Sequence, residues 1–165
     1  MRMLTREQSA AWIGQRQPVD AIFGARDAAP PAGLVCRRFH IPDGTSPVHT
    51  IFRHAVSWLI VDRASVLVWT DEYGIWHSSE DWNLYYKWRR AMGDSGVIED
   101  AEGHLFLAHE APDAVSLLLM ASLFGWGFCA VSGESRRAVR INHDGVGIVV
   151  AEHASALAQA PPEWR

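Results

Sequence analysis

The sequence is poor in cysteine: only Cys36 and Cys129 are present. With no close-spaced thiol pair, a disulfide scaffold and a Cys-rich zinc site are both unsupported. Positive charge is also scarce. Fifteen Lys and Arg stand against nineteen Asp and Glu, for a formal net charge of -4. Nucleic-acid binding leans on clustered cations, so no nucleic-acid partner is expected. The short basic spots at Arg37-Arg38, from Lys87 to Arg90, and at Arg136-Arg137 with Arg140 read as solvated faces.

Common cofactor and catalytic signatures are missing. There is no GxxxxGK[ST] loop, and Gly125-Trp126-Gly127 lacks the third glycine of a dinucleotide fingerprint. His109-Glu110 runs into Ala-Pro, so HExxH fails, and no GxSxG occurs. No cofactor is expected, and the balance leans away from an enzyme. The opening MRMLTREQSA has no apolar core, so no secretory leader is read there, and a cytoplasmic location with reduced thiols is the expectation. Residues 114–133 carry no charge, which raises the question of a membrane span. The glycines around Trp126 divide that stretch into a helix and a strand, so no membrane partner is expected.

What is present is a globular composition: 48% hydrophobic and 21% charged residues in 165. That length forms one domain with a real core. Residues 1 to about 45 read as a helical and loop extension packed on the rest. Eight tryptophans are unusual, and five of them fall between Trp58 and Trp88.

Thr5 and Gln8 form a capping-box pattern for a helix through Ile13, ended by Gly14. Pro18 to Phe23 reads as a second short helix, Ala25 to Gly33 as a loop, and Leu34 to Ile41 as a strand. Ser46-Pro47 opens a helix to about Ile60, because Val48, Ile51, Phe52, Ala55 and Leu59 recur at helical spacing; the rival is a long strand. Ser65 to Thr70 and Tyr73 to His77 read as a hairpin turning at Asp71-Glu72. Ser78 and Asp81 form a second capping box, for a helix from Ser79 to about Ala91 that ends at Gly93. Val97-Ile98 and His104 to Ala108 read as another hairpin. Pro112 and Asp113 open a helix to about Phe124 that is apolar nearly all round and belongs at the centre of the core.

Phe128 to Val131 reads as a strand. Asp144-Gly145 is a two-residue turn signal that sets Ile141 opposite Ile148 and Val139 opposite Val150. An Ala-rich helix from Glu152 to Ala160 is expected before Pro161-Pro162. The order predicts an α+β fold: helices packed on one face of a mostly antiparallel sheet, with a C-terminal hairpin.

The first candidate site is aromatic: Trp69, Tyr73, Trp76, Trp82, Tyr85 and Tyr86. The last three share a helical stripe. Asp71, Glu72, Glu80 and Asp81 would rim it. The ordinary alternative is that the hairpin covers the stripe and makes it core. An open cluster suits a basic protein partner or a flat ligand, since aromatic anchors combine large area with a polar handle. The second candidate gathers His104, His109, Glu110 and His143, perhaps with His77, as a hydrolase or metal-dependent centre. Strand alternation points His104 and His109 to opposite faces, so no metal is assigned. Cys129 sits in an apolar run, where a thiol is inert. Arg136, Arg137 and Arg140 would suit a phosphate only with added backbone donors. The function expected is a small non-enzymatic binding domain that presents the aromatic, acid-rimmed surface. A small enzyme using the histidine–glutamate set is the alternative, and a structural subunit of an assembly, homo-oligomer included, is the third class.

Overall fold

A computed structural model of the chain describes residues 1–15, 33–42 and 44–164. The helix expected from Pro18 to Phe23 lies outside them, as does all but the last residue of the loop expected from Ala25 to Gly33.

Among the described residues seven strands form one antiparallel sheet: β1 (Arg2–Leu4), β2 (Val35–His40), β3 (Val66–Glu72), β4 (Gly103–Phe106), β5 (Gly127–Ser132), β6 (Ala138–Ile141) and β7 (Val146–Ala151). Their spatial order is β1-β4-β3-β5-β6-β7-β2. Among the described residues there are five α-helices: α1 (Arg6–Gly14), α2 (Thr45–Leu59), α3 (Trp82–Ala91), α4 (Ala111–Leu123) and α5 (Ala154–Leu157). The fold class is α+β, as the patterning requires.

The main core lies between one sheet face and helices α2 to α5. Val66, Val68, Phe106, Phe128, Ala130, Val139, Ile141 and Val149 point into it from the strands. From α2 come Val48, Ile51, Phe52, Ala55, Val56 and Leu59, at the spacing that argued for a helix and against a strand. α4 contributes Ala114, Val115, Leu117, Leu118, Met120 and Ala121, and so sits at the centre as its all-round apolarity demands. α1 lies on the other face, where Ile13 and Leu4 join Leu67, Trp69, Leu105, Cys129 and Val131 in a smaller second core. Because β3 and β5 are covered on both faces, they read as continuous apolar runs rather than alternating ones. No helix among the described residues is long and apolar enough to cross a membrane.

The Thr5 capping box forms with both of its hydrogen bonds. Elsewhere local signals misplace boundaries. α2 starts at Thr45, with Gly44 at its N-cap in a left-handed conformation (φ 99°), so Ser46 is inside the helix and not its cap. Pro47 still falls in the first turn, where a missing N–H costs nothing. α3 starts at Trp82, three residues later than expected, because Asp81 itself is the cap and accepts the Leu84 N–H at 2.8 Å. α5 is only four residues long, and Pro162 opens a further single turn that buries Trp164 against Phe39, with ring centroids 4.6 Å apart.

Three hairpin expectations are corrected. β3 does not turn at Asp71-Glu72 but continues through them, bulging between Thr70 and Glu72, and residues 73–77 form no strand. Its partners are β4 and β5, which arrive later in the chain. Val97-Ile98 likewise makes no strand: Ile98–Asp100 is one tight turn, and β4 is bracketed by β1 and β3. In the β6–β7 hairpin the pairs are Val139↔Val149 and Ile141↔Gly147, one residue away from the two-residue-turn register. The loop is three residues long. The Gly145 N–H returns to the Asn142 carbonyl at 3.0 Å, and only Gly145 takes positive φ (73°). This is a type I turn followed by a left-handed glycine, and the added residue turns Ile148 and Val150 to the second face.

Two arginines also depart from the solvated-face reading. Arg89 and Arg137 are buried. Arg89 donates to the Tyr85 hydroxyl at 2.9 Å, and Arg137 to the Trp58 carbonyl at 3.2 Å and Glu152 at 3.1 Å. A guanidinium tolerates burial where fixed acceptors meet its fork of donors.

Candidate functional site

Between β3 and α3 the chain forms a loop, 73–80, held from beneath by an acid. The Glu80 side chain is 0% exposed. Its carboxylate accepts the Trp126 indole N–H at 2.5 Å, the Trp82 indole N–H at 3.2 Å and the Gly74 backbone N–H at 2.8 Å. The His77 ring stands 3.7 Å from the same carboxylate while remaining largely exposed. A buried charge is tolerable only when its lone pairs are met this way.

Trp126 is the hub of the aromatic cluster. Its ring centroid lies 5.1 Å from Trp82, 5.2 Å from Tyr85, 5.1 Å from Phe124 and 6.4 Å from Tyr73. Trp82 stacks on Tyr86 at 6.0 Å. Edge-to-face and offset contacts at these distances suit the ring quadrupoles. Tyr73, Trp82, Tyr85 and Tyr86 are thus brought together, as their spacing suggested. Sequence reasoning missed Trp126 because Gly125-Trp126-Gly127 was weighed for its glycines, as a failed fingerprint and a chain break.

Trp69 is not part of this cluster. It points into the second core and donates its indole N–H to Glu102 at 3.1 Å. Glu102 is a second buried carboxylate that the sequence did not flag. It also accepts the Tyr73 hydroxyl at 3.1 Å and a two-pronged contact from Arg6 at 3.0 and 3.1 Å. Burial, and then the Glu102 charge, push the Tyr73 phenol up to about 12.

The expected acid rim divides. Asp81 is exposed and caps α3, whereas Glu80 is beneath the loop rather than on its edge. Asp71 accepts from Arg140 at 3.0 Å, and its burial outweighs that cation and raises its pKa. Glu72 accepts both the backbone N–H of His143 at 3.2 Å and its ring Nδ1 at 3.0 Å. Burial raises the Glu72 carboxyl, but the His143 hydrogen bonds overcome it and hold the pKa below the usual range.

The histidine–glutamate set is dispersed among separate partners. His104 is fully buried, with Nε2 3.0 Å from the Tyr85 hydroxyl. Arg89 donates to the same hydroxyl. Burial, reinforced by the Arg89 charge, lowers the His104 pKa to about 3, and burial pushes Tyr85 up to about 12. His109 is exposed. Glu110 accepts the Leu107 N–H at 2.8 Å and pairs with the N-terminal ammonium. His143 belongs to Glu72. Among the described residues no three His, Cys, Asp or Glu side chains gather to hold a metal ion. Cys129 is buried, and burial raises its thiol pKa well above the ordinary value.

What this arrangement can do is hold a loop. Ile75 is 42% and Trp76 49% exposed at its crest. Trp76 lies across Gly125, where an added Cβ would fall 2.9 Å from its Cδ1, and its ring is 6.4 Å from His143. No protein-family model, curated protein or solved structure matches the chain.

Proposed function

We propose that this chain is a small binding domain whose 73–80 loop captures a basic segment of a protein partner, with Trp76 as the anchor. The observation that carries this reading is a half-exposed tryptophan on a loop fixed by a buried carboxylate. Ordering a mobile loop consumes binding energy, so a crest already held by Glu80 loses little on contact. Tryptophan is the residue type most enriched among dominant interface contacts, and its ring face attracts Lys and Arg. The exposed carboxylates of Asp81 and Asp144, with a net charge of -4, favour encounter with a cation.

A peptide-display selection tests this directly. The folded chain is the bait, and a Trp76→Ala chain removes background. Enrichment of peptides bearing an apolar side chain flanked by Lys or Arg supports the proposal. No enrichment over the Trp76→Ala bait, or enrichment of acidic peptides, overturns it.

A further inference from the structure

A groove of about 480 Å³ runs between α2 and α4 and shares no residue with the aromatic loop. That size lies within the roughly 300–1,000 Å³ of ordinary small-molecule sites. Its floor is apolar: Val56 and Val115 reach it from the core, and Ile60 closes one end. Arg53 supplies its charged edge, with the His49 imidazole one helical turn away on α2. Among the described residues no carboxylate lines it. The nearest acid before α4, Glu110, is engaged by the N-terminal ammonium and the Leu107 N–H. The Ser116 hydroxyl on the opposite wall is turned inward to the Pro112 carbonyl at 2.9 Å. In a chain of net negative charge, this leaves a trough of mostly apolar side chains with Ser57 and Ser116 on its walls and Arg53 as its charged group among the described residues.

We propose that the groove binds a small amphipathic organic anion, with its carboxylate at Arg53 and His49 and its hydrocarbon body along Val56, Ile60 and Val115. An arginine fork matches a carboxylate in plane, while Val56, Ile60 and Val115 give a hydrocarbon body apolar surface to bury. Complementary charge selects an anion, and the apolar side chains of Val56, Ile60 and Val115 favour a hydrocarbon body over a sugar or nucleoside.

The probe is decanoate, titrated into the full folded chain by calorimetry, with decanol and decyltrimethylammonium as matched controls. Saturable decanoate binding is expected, at least about tenfold weaker for decanol and absent for the cation, from the loss of one charge-assisted contact. Arg53→Glu should weaken decanoate at least about tenfold. Ser116→Phe, which fills the trough, should abolish binding. Both replaced side chains are exposed, so the unfolding temperature reports that each variant is folded. Failure of the wild-type chain to bind decanoate, equal binding of all three probes, or an Arg53→Glu chain that binds like wild type each overturns the proposal.

Discussion

Glu80 and Trp126 are 46 residues apart in sequence, yet the indole N–H of one donates to the carboxylate of the other at 2.5 Å. That single contact ties the loop after β3 to the start of β5 and sets the height of Ile75 and Trp76 above the sheet. Glu80→Ala would strand two indole donors inside the protein. A loss of about 2–4 kcal/mol is expected from leaving them unmet. Glu80→Gln, which keeps one acceptor, should lose less. Urea unfolding of the three chains checks the order.

The aromatic residues divide into crest and core, and alanine substitution should separate them. Tyr85 and Trp126 are fully buried, so Tyr85→Ala and Trp126→Ala should each cost about 3–5 kcal/mol. Trp76→Ala should cost less than about 1.5 kcal/mol, since half its surface already meets water. Denaturant midpoints measure all three. A Trp76→Ala cost as large as that of Trp126→Ala would make Trp76 a packing residue.

His104 gives stability a pH dependence of definite sign. Its folded pKa is about 3, against 6.5 for an ordinary histidine. Below pH 6.5 the unfolded chain takes up a proton that the folded chain refuses, so stability falls as pH falls between these values. From pH 7 to pH 5 the loss from this group is about 2 kcal/mol, at 1.4 kcal/mol per unit. His104→Asn should be less stable at pH 7 and flatter over that interval, as read from urea midpoints at the two pH values.

Gly103 opens β4 beneath α1, where an added Cβ would meet the Ser9 Oγ and lie 3.2 Å from the Leu4 Cβ. Gly103→Ala should therefore destabilise by about 1–3 kcal/mol through overpacking. Ser9→Gly in the same chain should recover part of this. A double-mutant cycle measures the coupling, which is expected to exceed about 0.5 kcal/mol.

The two thiols should differ in reactivity. Cys36 is exposed and Cys129 buried. A thiol reagent should label Cys36 in the folded protein and reach Cys129 only on unfolding, since burial raises its pKa and blocks access. Mass spectrometry after labelling with and without urea counts the modified sites.

Elements whose signal is local were legible from the residues alone. The Thr5–Gln8 box, the apolar stripe of α2 and the unbroken apolarity of α4 each depend on neighbours within four residues, and each formed. The aromatic stripe Trp82, Tyr85, Tyr86 was visible for the same reason. Residues 73–77 and 97–98 form no strand, because short apolar runs suit a loop or a single turn pinned by side-chain contacts as well as they suit a ladder. The site lost most in the reading where acids were judged by their neighbours in sequence. Glu80 looked like a rim residue, and Glu102 looked like part of a turn.

Alternation, helical periodicity and capping chemistry in the chain itself were enough to determine an α+β fold with its most apolar helix inside. Strand order, the one-residue register of the last hairpin, and the burial of Glu80, Glu102, Arg89 and His104 were decided only in three dimensions. The reason is physical: apolar burial is non-directional and shows in any pattern, whereas a buried polar group needs partners of fixed geometry, and for Glu80, Glu102 and His104 these come from segments far along the chain.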